Sequence, residues 1–116
     1  MENHEFEKLI AFNIKDKLNY VSNSVEIKTI LYEKTGNIIA LALDYGKTYR
    51  PQPTPYLTFL KVIEGKAELV INDESAYLQY EESMIIPGHT NYTIEANQRF
   101  KMLLIILKSG YDDLDP

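Results

Sequence analysis

The chain has 116 residues, which predicts one domain, and its 45% hydrophobic content is typical of a globular protein. It has no cysteine, which excludes disulfides, thiolate catalysis, zinc fingers and iron–sulfur clusters, and its two histidines are too few for a three-histidine metal site. The formal net charge of -5 makes the chain a poor candidate for binding the phosphate backbone of a nucleic acid.

The first 24 residues differ in pattern from the rest. Phe6, Leu9 and Ile10 have the spacing of one helix face, but Leu9–Ile14 equally fits an edge strand. From residue 25 onward, short apolar runs alternate with turn residues. We therefore predict an N-terminal extension over residues 1–24, a short helix or edge strand that is a candidate dimer contact, and a β domain over residues 25–116.

Eight short strands are predicted in that domain. They cover residues 25–33, 37–45, 57–64, 66–72, 75–80, 84–86, 91–96 and 99–108. Gly65 is predicted to be the turn between the third and fourth strands. Three alternate prolines in Arg50–Pro55 exclude a helix and a central strand, because proline has no backbone N–H to donate. Many short strands at close spacing indicate an all-β sandwich or barrel.

The turns and strands resemble the two sequence motifs of small single-domain cupins. Leu43–Gly46, the proline-rich loop and Val62–Leu69 are similar to the first motif, and Leu78–Tyr92 is similar to the second. Phe100–Leu104 is similar to the last strand of one bacterial subgroup. The resemblance covers roughly residues 25–108. It implies the cupin-type double-stranded β-helix, a jelly-roll barrel of two antiparallel sheets that is usually paired as a homodimer.

The resemblance also implies a metal site, and this sequence departs from it at every ligand position. Typical cupins use two histidines one residue apart, a glutamate or glutamine a few residues on, and a histidine from the second motif. The matching positions here are Gln52, Thr54, Thr58 and Tyr92. Neutral amide and hydroxyl oxygens are weak ligands for transition metals. We therefore expect no metal and no other cofactor.

The same positions are candidates for binding a small molecule. Alternation places Thr58, Leu60 and Val62 on one face of their strand, so Thr58 would join Gln52 and Tyr92 in a polar patch within an apolar cup. Such a cup is the usual form of a small-molecule site. The alternative is a solid barrel whose interior residues satisfy one another. The candidate ligand-binding residues are Gln52, Thr54, Tyr56, Thr58 and Tyr92, with Tyr49 and Tyr56 as an aromatic rim.

Tyr92 and His89 are the candidate catalytic residues. Metal-free cupins that epimerise or isomerise nucleotide-linked sugars use a tyrosine with a histidine base, and that base is missing from the matched positions here. His89 follows Pro87 and Gly88 near the expected barrel mouth, and histidine titrates near neutral pH. The alternative is a solvated turn histidine, because no second catalytic partner is evident.

The leading hypothesis is a metal-free cupin barrel that binds a small polar molecule or acts as an accessory or dimerisation module. The alternatives are a metal-independent isomerase or epimerase, and a metal-dependent cupin with an unusual site. The strands Ile38–Leu43 and Met102–Leu107 are apolar on both faces, which favours a homodimer. We expect no nucleic-acid partner and no membrane partner. The polar, acidic N-terminus and the six-residue apolar run at Met102–Leu107 favour a cytoplasmic location.

Overall fold

The computed structural model describes residues 4–108, with the side chain of His4 outside that description. The part of the predicted β domain beyond residue 108 therefore lies outside the described residues. A 3-10 helix at His4–Phe6 and helix α1 at Ile14–Lys17 come first. The strands are β1 (Val25–Glu33), β2 (Gly36–Leu43), β3 (Thr48–Tyr49), β4 (Leu57–Ile71), β5 (Glu74–Gln79), β6 (Ser83–Ile86), β7 (Tyr92–Glu95) and β8 (Phe100–Leu107).

Two antiparallel sheets share one long strand. The first sheet has the order β1–β2–β8–β4–β6, and the second has the order β5–β4–β7–β3. The first half of β4 pairs with β6 and β8, and the second half pairs with β5 and β7. The predicted all-β barrel of two antiparallel sheets is confirmed. The segment before β1 contains the two short helices and no strand among its described residues.

The predicted turn at Gly65 is wrong, because β4 continues through that residue for 15 residues in all. The β4–β8 register shifts between Val62 and Glu64, and Gly65 has a φ of 80°. A β-carbon at Gly65 would clash with the carbonyl oxygen of Arg99. Glycine therefore lets the strand bend out of the first sheet and into the second without ending.

Strand β3 is the element that the sequence pattern did not indicate. It has two residues, Thr48 and Tyr49, which pair with Glu95 and Ile94 of β7. A two-residue strand is too short to show alternation, so only its partner strand defines it. The pairing of β3 with β7 places Tyr49 beside Ile94, so Tyr49 faces the barrel interior.

The main hydrophobic core lies between the inner faces of the two sheets. Thr58, Leu60 and Val62 are all buried there, on the one face that alternation predicts. Besides Leu60 and Val62, the largest completely buried side chains in this core are Leu41, Leu43, Leu69, Ile94, Phe100 and Met102.

The N-terminal extension covers part of the outer face of the first sheet. Leu18 is buried against Ala40 and Ala42, two small residues of β2. Two lysines of the sheet bond to the one-turn helix above: Lys101 Nζ donates to the carbonyl of Lys15 and Lys28 Nζ to that of Lys17, both at 2.8 Å. The Lys15 carbonyl also accepts from the backbone N–H of Leu18 at 3.4 Å, and the two lysines tie the end of α1 to the sheet.

Tyr20 forms a second polar anchor for the extension. Its hydroxyl donates to Glu64 Oε2 at 2.5 Å, and its ring lies 5.1 Å from Lys101 Nζ. Burial, followed by the hydrogen bond to Glu64, raises the pKa of Tyr20 well above its usual value. The phenol therefore stays protonated and keeps donating throughout the ordinary pH range.

Asp44 holds the end of the extension where the chain enters β1. Arg99 Nε donates to Asp44 Oδ1 at 2.8 Å, and the Asn23 backbone N–H donates to Oδ2 at 2.6 Å. The Arg99 hydrogen bond first, then the backbone bonds, lower the pKa of Asp44 to about 2. The carboxylate is thus stabilised in its charged form.

Within residues 4–108, two glycines have a positive φ, Gly46 and Gly65, and they provide a matched test of the bend at Gly65. Gly65→Ala meets both an unfavourable φ and a clash, so we expect it to lower the free energy of unfolding by more than about 3 kcal/mol. Gly46→Ala has a similar φ of 84° but open space around the new methyl group, and should cost only about 1–2 kcal/mol. Urea denaturation measures both, and equal losses would contradict the proposed role of close packing.

The Asp44–Arg99 bond predicts a specific acid dependence of stability. Because the folded-state pKa of Asp44 lies below its ordinary value of 3.8, the stabilisation is present above that value and is lost as the pH falls through about 2. The difference in urea midpoint between wild type and Asp44→Asn should therefore be largest above about pH 5 and shrink toward about pH 2. In the Arg99→Gln background the pH-dependent part of that difference should be smaller. A difference that is constant with pH would contradict the assignment.

Candidate functional site

A cavity of about 220 Å³ lies between the inner strand faces and the two loops that flank β4 and β6. Strands β2, β3, β4, β6, β7 and β8 contribute to it, and none of its lining residues is charged. The lining residues are Ile39, Tyr49, Pro51, Gln52, Pro53, Thr54, Tyr56, Thr58, Ile86, Pro87, Thr90, Tyr92, Leu104 and Ile106.

The inner end of the cavity is rigid because paired strands build it. Thr58 of β4 lies opposite Ile86 of β6 on one side and Ile106 of β8 on the other. Directly opposed residues share one face of a sheet, so all three project toward the cavity. Thr58 is only 6% exposed and supplies a hydroxyl to an otherwise apolar surface. Leu104 completes the apolar part of this inner end.

Two loops that touch each other form the rim. The backbone N–H of His89 donates to the carbonyl of Thr54 at 2.6 Å, and a β-carbon at Gly88 would clash with the carbonyl of Pro55. Within the proline-rich loop, Thr54 Oγ1 accepts from the Tyr56 N–H at 3.1 Å. Gly88 therefore permits the close approach of the loops, and Thr54 holds the turn that presents Tyr56.

Two half-buried tyrosines line the wall. Burial raises the pKa of Tyr92 to about 12, and nearby Tyr49 adds to this shift. Burial also raises the pKa of Tyr49. Both phenols are therefore neutral at physiological pH and act as hydrogen-bond donors or acceptors rather than as bases.

The cavity hydroxyls remain available to a ligand. Among the side-chain hydrogen bonds of residues 4–108, none involves the hydroxyl of Tyr49, Thr58 or Tyr92. No fully buried side-chain polar atom in that part of the chain lacks a partner. These hydroxyls are therefore open to the cavity rather than sealed in the core.

The structure brings together the five residues that the sequence suggested for ligand binding. Gln52, Thr54, Tyr56, Thr58 and Tyr92 all line the cavity, and their binding role stays a prediction. Gln52 is exposed on the rim, whereas Thr58 is buried. The sequence reasoning missed Thr90, which lines the cavity from the turn after Gly88; its position in the same turn as His89 was the available signal.

His89 lies apart from this group. It is exposed, has a φ of 62°, and is not among the residues that line the cavity. Its contribution to the rim is the backbone hydrogen bond to Thr54, so the structure does not place its imidazole beside Tyr92. The catalytic roles suggested for these two residues stay predictions.

The cavity does not fit a transition metal. The four positions that match cupin ligands, Gln52, Thr54, Thr58 and Tyr92, do meet in one place. They offer an amide, two hydroxyls and a phenol that burial keeps protonated, and these are weak ligands for transition metals. Within residues 4–108, no group of three or more histidine or carboxylate side chains is placed to hold a metal ion.

Comparison with solved structures identifies the fold. A cupin superfamily protein from Desulfitobacterium hafniense matches with a TM-score of 0.81 at 20% identity, over 88% of this chain and 94% of that one. A conserved protein of unknown function from Streptococcus pyogenes matches with a TM-score of 0.80 at 19% identity, over 88% and 90%. The cupin domain of an XRE family transcriptional regulator from Enterobacter cloacae matches with a TM-score of 0.66 at 14% identity, over 72% and 95%.

These likenesses show that the chain is a small cupin-fold domain, as the sequence resemblance implied. No protein-family model matches the chain, and no curated protein matches it. In the described residues, no helix is long and apolar enough to cross a membrane.

Proposed function

We propose that this cupin barrel binds a small, uncharged, largely apolar molecule that carries one or two hydrogen-bonding groups. One observation supports this most directly: the cavity lining contains open hydroxyls on an apolar surface and no charged residue. A concave apolar site with a few polar groups that fix orientation is the usual form of a small-molecule site.

The size of the cavity limits the ligand. Its volume of about 220 Å³ lies below the roughly 300–1,000 Å³ that is usual for drug-sized ligands. A single ring with one or two substituents is of the right order. The exposed rim residue Gln52 allows a polar end of the ligand to remain in contact with water.

The chemistry of the lining limits the ligand further. A buried carboxylate or phosphate needs a cationic partner, and the lining offers none. A carbonyl or hydroxyl group needs only a neutral donor or acceptor, which Tyr49, Thr58 and Tyr92 provide. The proposed ligand is therefore less polar than the small polar molecule that the sequence led us to expect.

The proposal is binding without proton transfer by the protein. Tyr92 is held neutral by its raised pKa, and the imidazole of His89 does not line the cavity. The accessory-module version of the hypothesis agrees with this, since one structural neighbour is a cupin domain within a transcriptional regulator. A metal-independent isomerase remains a prediction.

Fragment binding tests the proposed site. We expect cyclohexanone, cyclohexanol or phenol to perturb the amide NMR signals of residues around Thr58 and Tyr92, while benzoate and cyclohexanecarboxylate should not. Tyr92→Phe and Thr58→Val should each weaken the binding of a responding fragment about 5–10-fold, because each removes one hydrogen bond worth about 1 kcal/mol.

Two further variants provide the controls. Tyr45→Phe removes a hydroxyl from a tyrosine that is 71% exposed and does not line the cavity, so affinity should not change. Ile86→Phe adds volume to the inner end of the cavity and should abolish binding. Preference for the anionic fragments, or an equal loss with Tyr45→Phe, would contradict the proposal.

A further inference from the structure

The inner face of the first sheet continues beyond the cavity. Three directly opposed residues, Ile86, Thr58 and Ile106, line the cavity from β6, β4 and β8. The same register continues from Ile106 to Asn37 of β2, and from Asn37 to Tyr32 of β1. We call these five residues the inner row. Asn37 and Tyr32 do not line the cavity, so the row continues past it by two strands, or about 10 Å.

Lys108 lies where the inner row leaves the cavity. It follows the last residue of β8, and its backbone N–H donates to the carbonyl of Thr35 at 2.9 Å, which continues the pairing of β8 with β2. Lys108 is two residues from Ile106, so both side chains point to the inner face of the sheet. The register of β4 and β8, continued by one residue, places Tyr56 opposite Lys108.

Three partners hold the ammonium group of Lys108. Its Nζ lies 5.4 Å from the centre of the Tyr32 ring and 5.9 Å from the centre of the Tyr56 ring, and a cation is attracted to an aromatic face at these distances. In the amide orientation that satisfies both polar atoms of Asn37, Lys108 Nζ also donates to Asn37 Oδ1 at 3.2 Å. The side chain is therefore held between Tyr56 at the cavity and Tyr32 beyond it.

This position separates the cavity from the far end of the inner row. Tyr56 lines the cavity, whereas Tyr32 is 75% exposed. Asn37 lies between them at the end of the sheet and is nevertheless only 8% exposed, with Lys108 bonded to its amide. Without the Lys108 side chain, the space beside Ile106 would extend to the Asn37 amide and the Tyr32 ring.

We propose that Lys108 is a specificity-determining residue that sets the size limit of the cavity. This inference rests on the proposed function, because it concerns the ligand of the same cavity. With Lys108 in place, the cavity has room for a single ring. Removal of the side chain joins the cavity to the surface of Asn37 and Tyr32, and the larger space accepts a second fused ring on the β2 side.

The charge of Lys108 does not make the cavity a site for anions. The ammonium group already has two aromatic rings and an amide oxygen as partners, and Lys108 is not among the residues that line the cavity. A carboxylate on the ligand would have to replace these partners to reach the ammonium group. Lys108 therefore acts through the space that it fills, and we expect discrimination against benzoate to persist when it is replaced.

Binding of two phenols of different size tests this role. Wild type should bind phenol and reject 2-naphthol, as measured by the amide NMR signals of residues around Thr58. In Lys108→Ala, the affinity for 2-naphthol relative to phenol should rise at least about 10-fold, because the steric limit is removed. Lys108→Arg keeps a long cationic side chain and should retain the preference of wild type. An unchanged preference in Lys108→Ala would overturn the inference.

Lys34→Ala is the matched control. Lys34 lies in the turn between β1 and β2, near the same end of the sheet, and it is exposed and does not line the cavity. The variant loses the same charge as Lys108→Ala, so its preference for phenol should stay that of wild type. An equal change in both variants would be an effect of net charge and would overturn the role of Lys108.

Ring-current shifts test the position of Lys108 without a ligand. Its ε-methylene protons should resonate upfield of those of Lys34, because they lie near two aromatic faces. Tyr32→Leu removes a ring that is not part of the cavity lining, and should reduce the upfield shift and raise the relative affinity for 2-naphthol part of the way. Unshifted Lys108 signals in wild type would contradict the arrangement. If wild type does not bind phenol, the proposed function fails, whereas bound phenol with an unchanged preference in Lys108→Ala refutes only the role of Lys108.

Discussion

The structure depends on β4, the one strand that both sheets contain. Its 15 residues would be two separate strands if Gly65 formed a turn, and no continuous strand would then join the two sheets. Gly65 instead combines a positive φ with a close approach to Arg99 and to Phe100, the first residue of β8. The bend brings the second half of β4 over the first sheet. The core and the cavity both follow from this bend, since each is enclosed by strands on the two sides of it.

The sequence predicted the parts of the fold in which a local pattern reflects burial. Alternation along β4 correctly placed Thr58, Leu60 and Val62 in the interior because a half-buried strand requires that pattern. It failed at Gly65, because glycine indicates a turn and a bent strand equally well when only the neighbouring residues are known. It also missed β3, which exists only through its pairing with β7.

In the candidate site, too, the sequence predicted the positions of some residues and not of others. The sequence selected Gln52, Thr54, Tyr56, Thr58 and Tyr92, and the structure places all five around one cavity. That success depended on the spacing of the cupin motifs, which encode positions in the barrel even where the ligand residues have changed. His89 was harder to place, because the direction of its imidazole depends on the left-handed backbone conformation of a single residue after Gly88. Periodicity does not extend into such a turn.

The two apolar faces of the first sheet explain why β2, β6 and β8 are hydrophobic at most of their positions. In β8, Leu104 and Ile106 face inward while Ile105 faces outward, and β4 and β6 repeat this division at Thr58 and Phe59 and at Ile86 and Ile85. A barrel that only enclosed a cavity would need apolar residues on one face and polar residues on the other. The cavity therefore does not explain the outward apolar residues, and the N-terminal extension, which packs Leu18 on Ala40 and Ala42, covers only a neighbouring part of the same face.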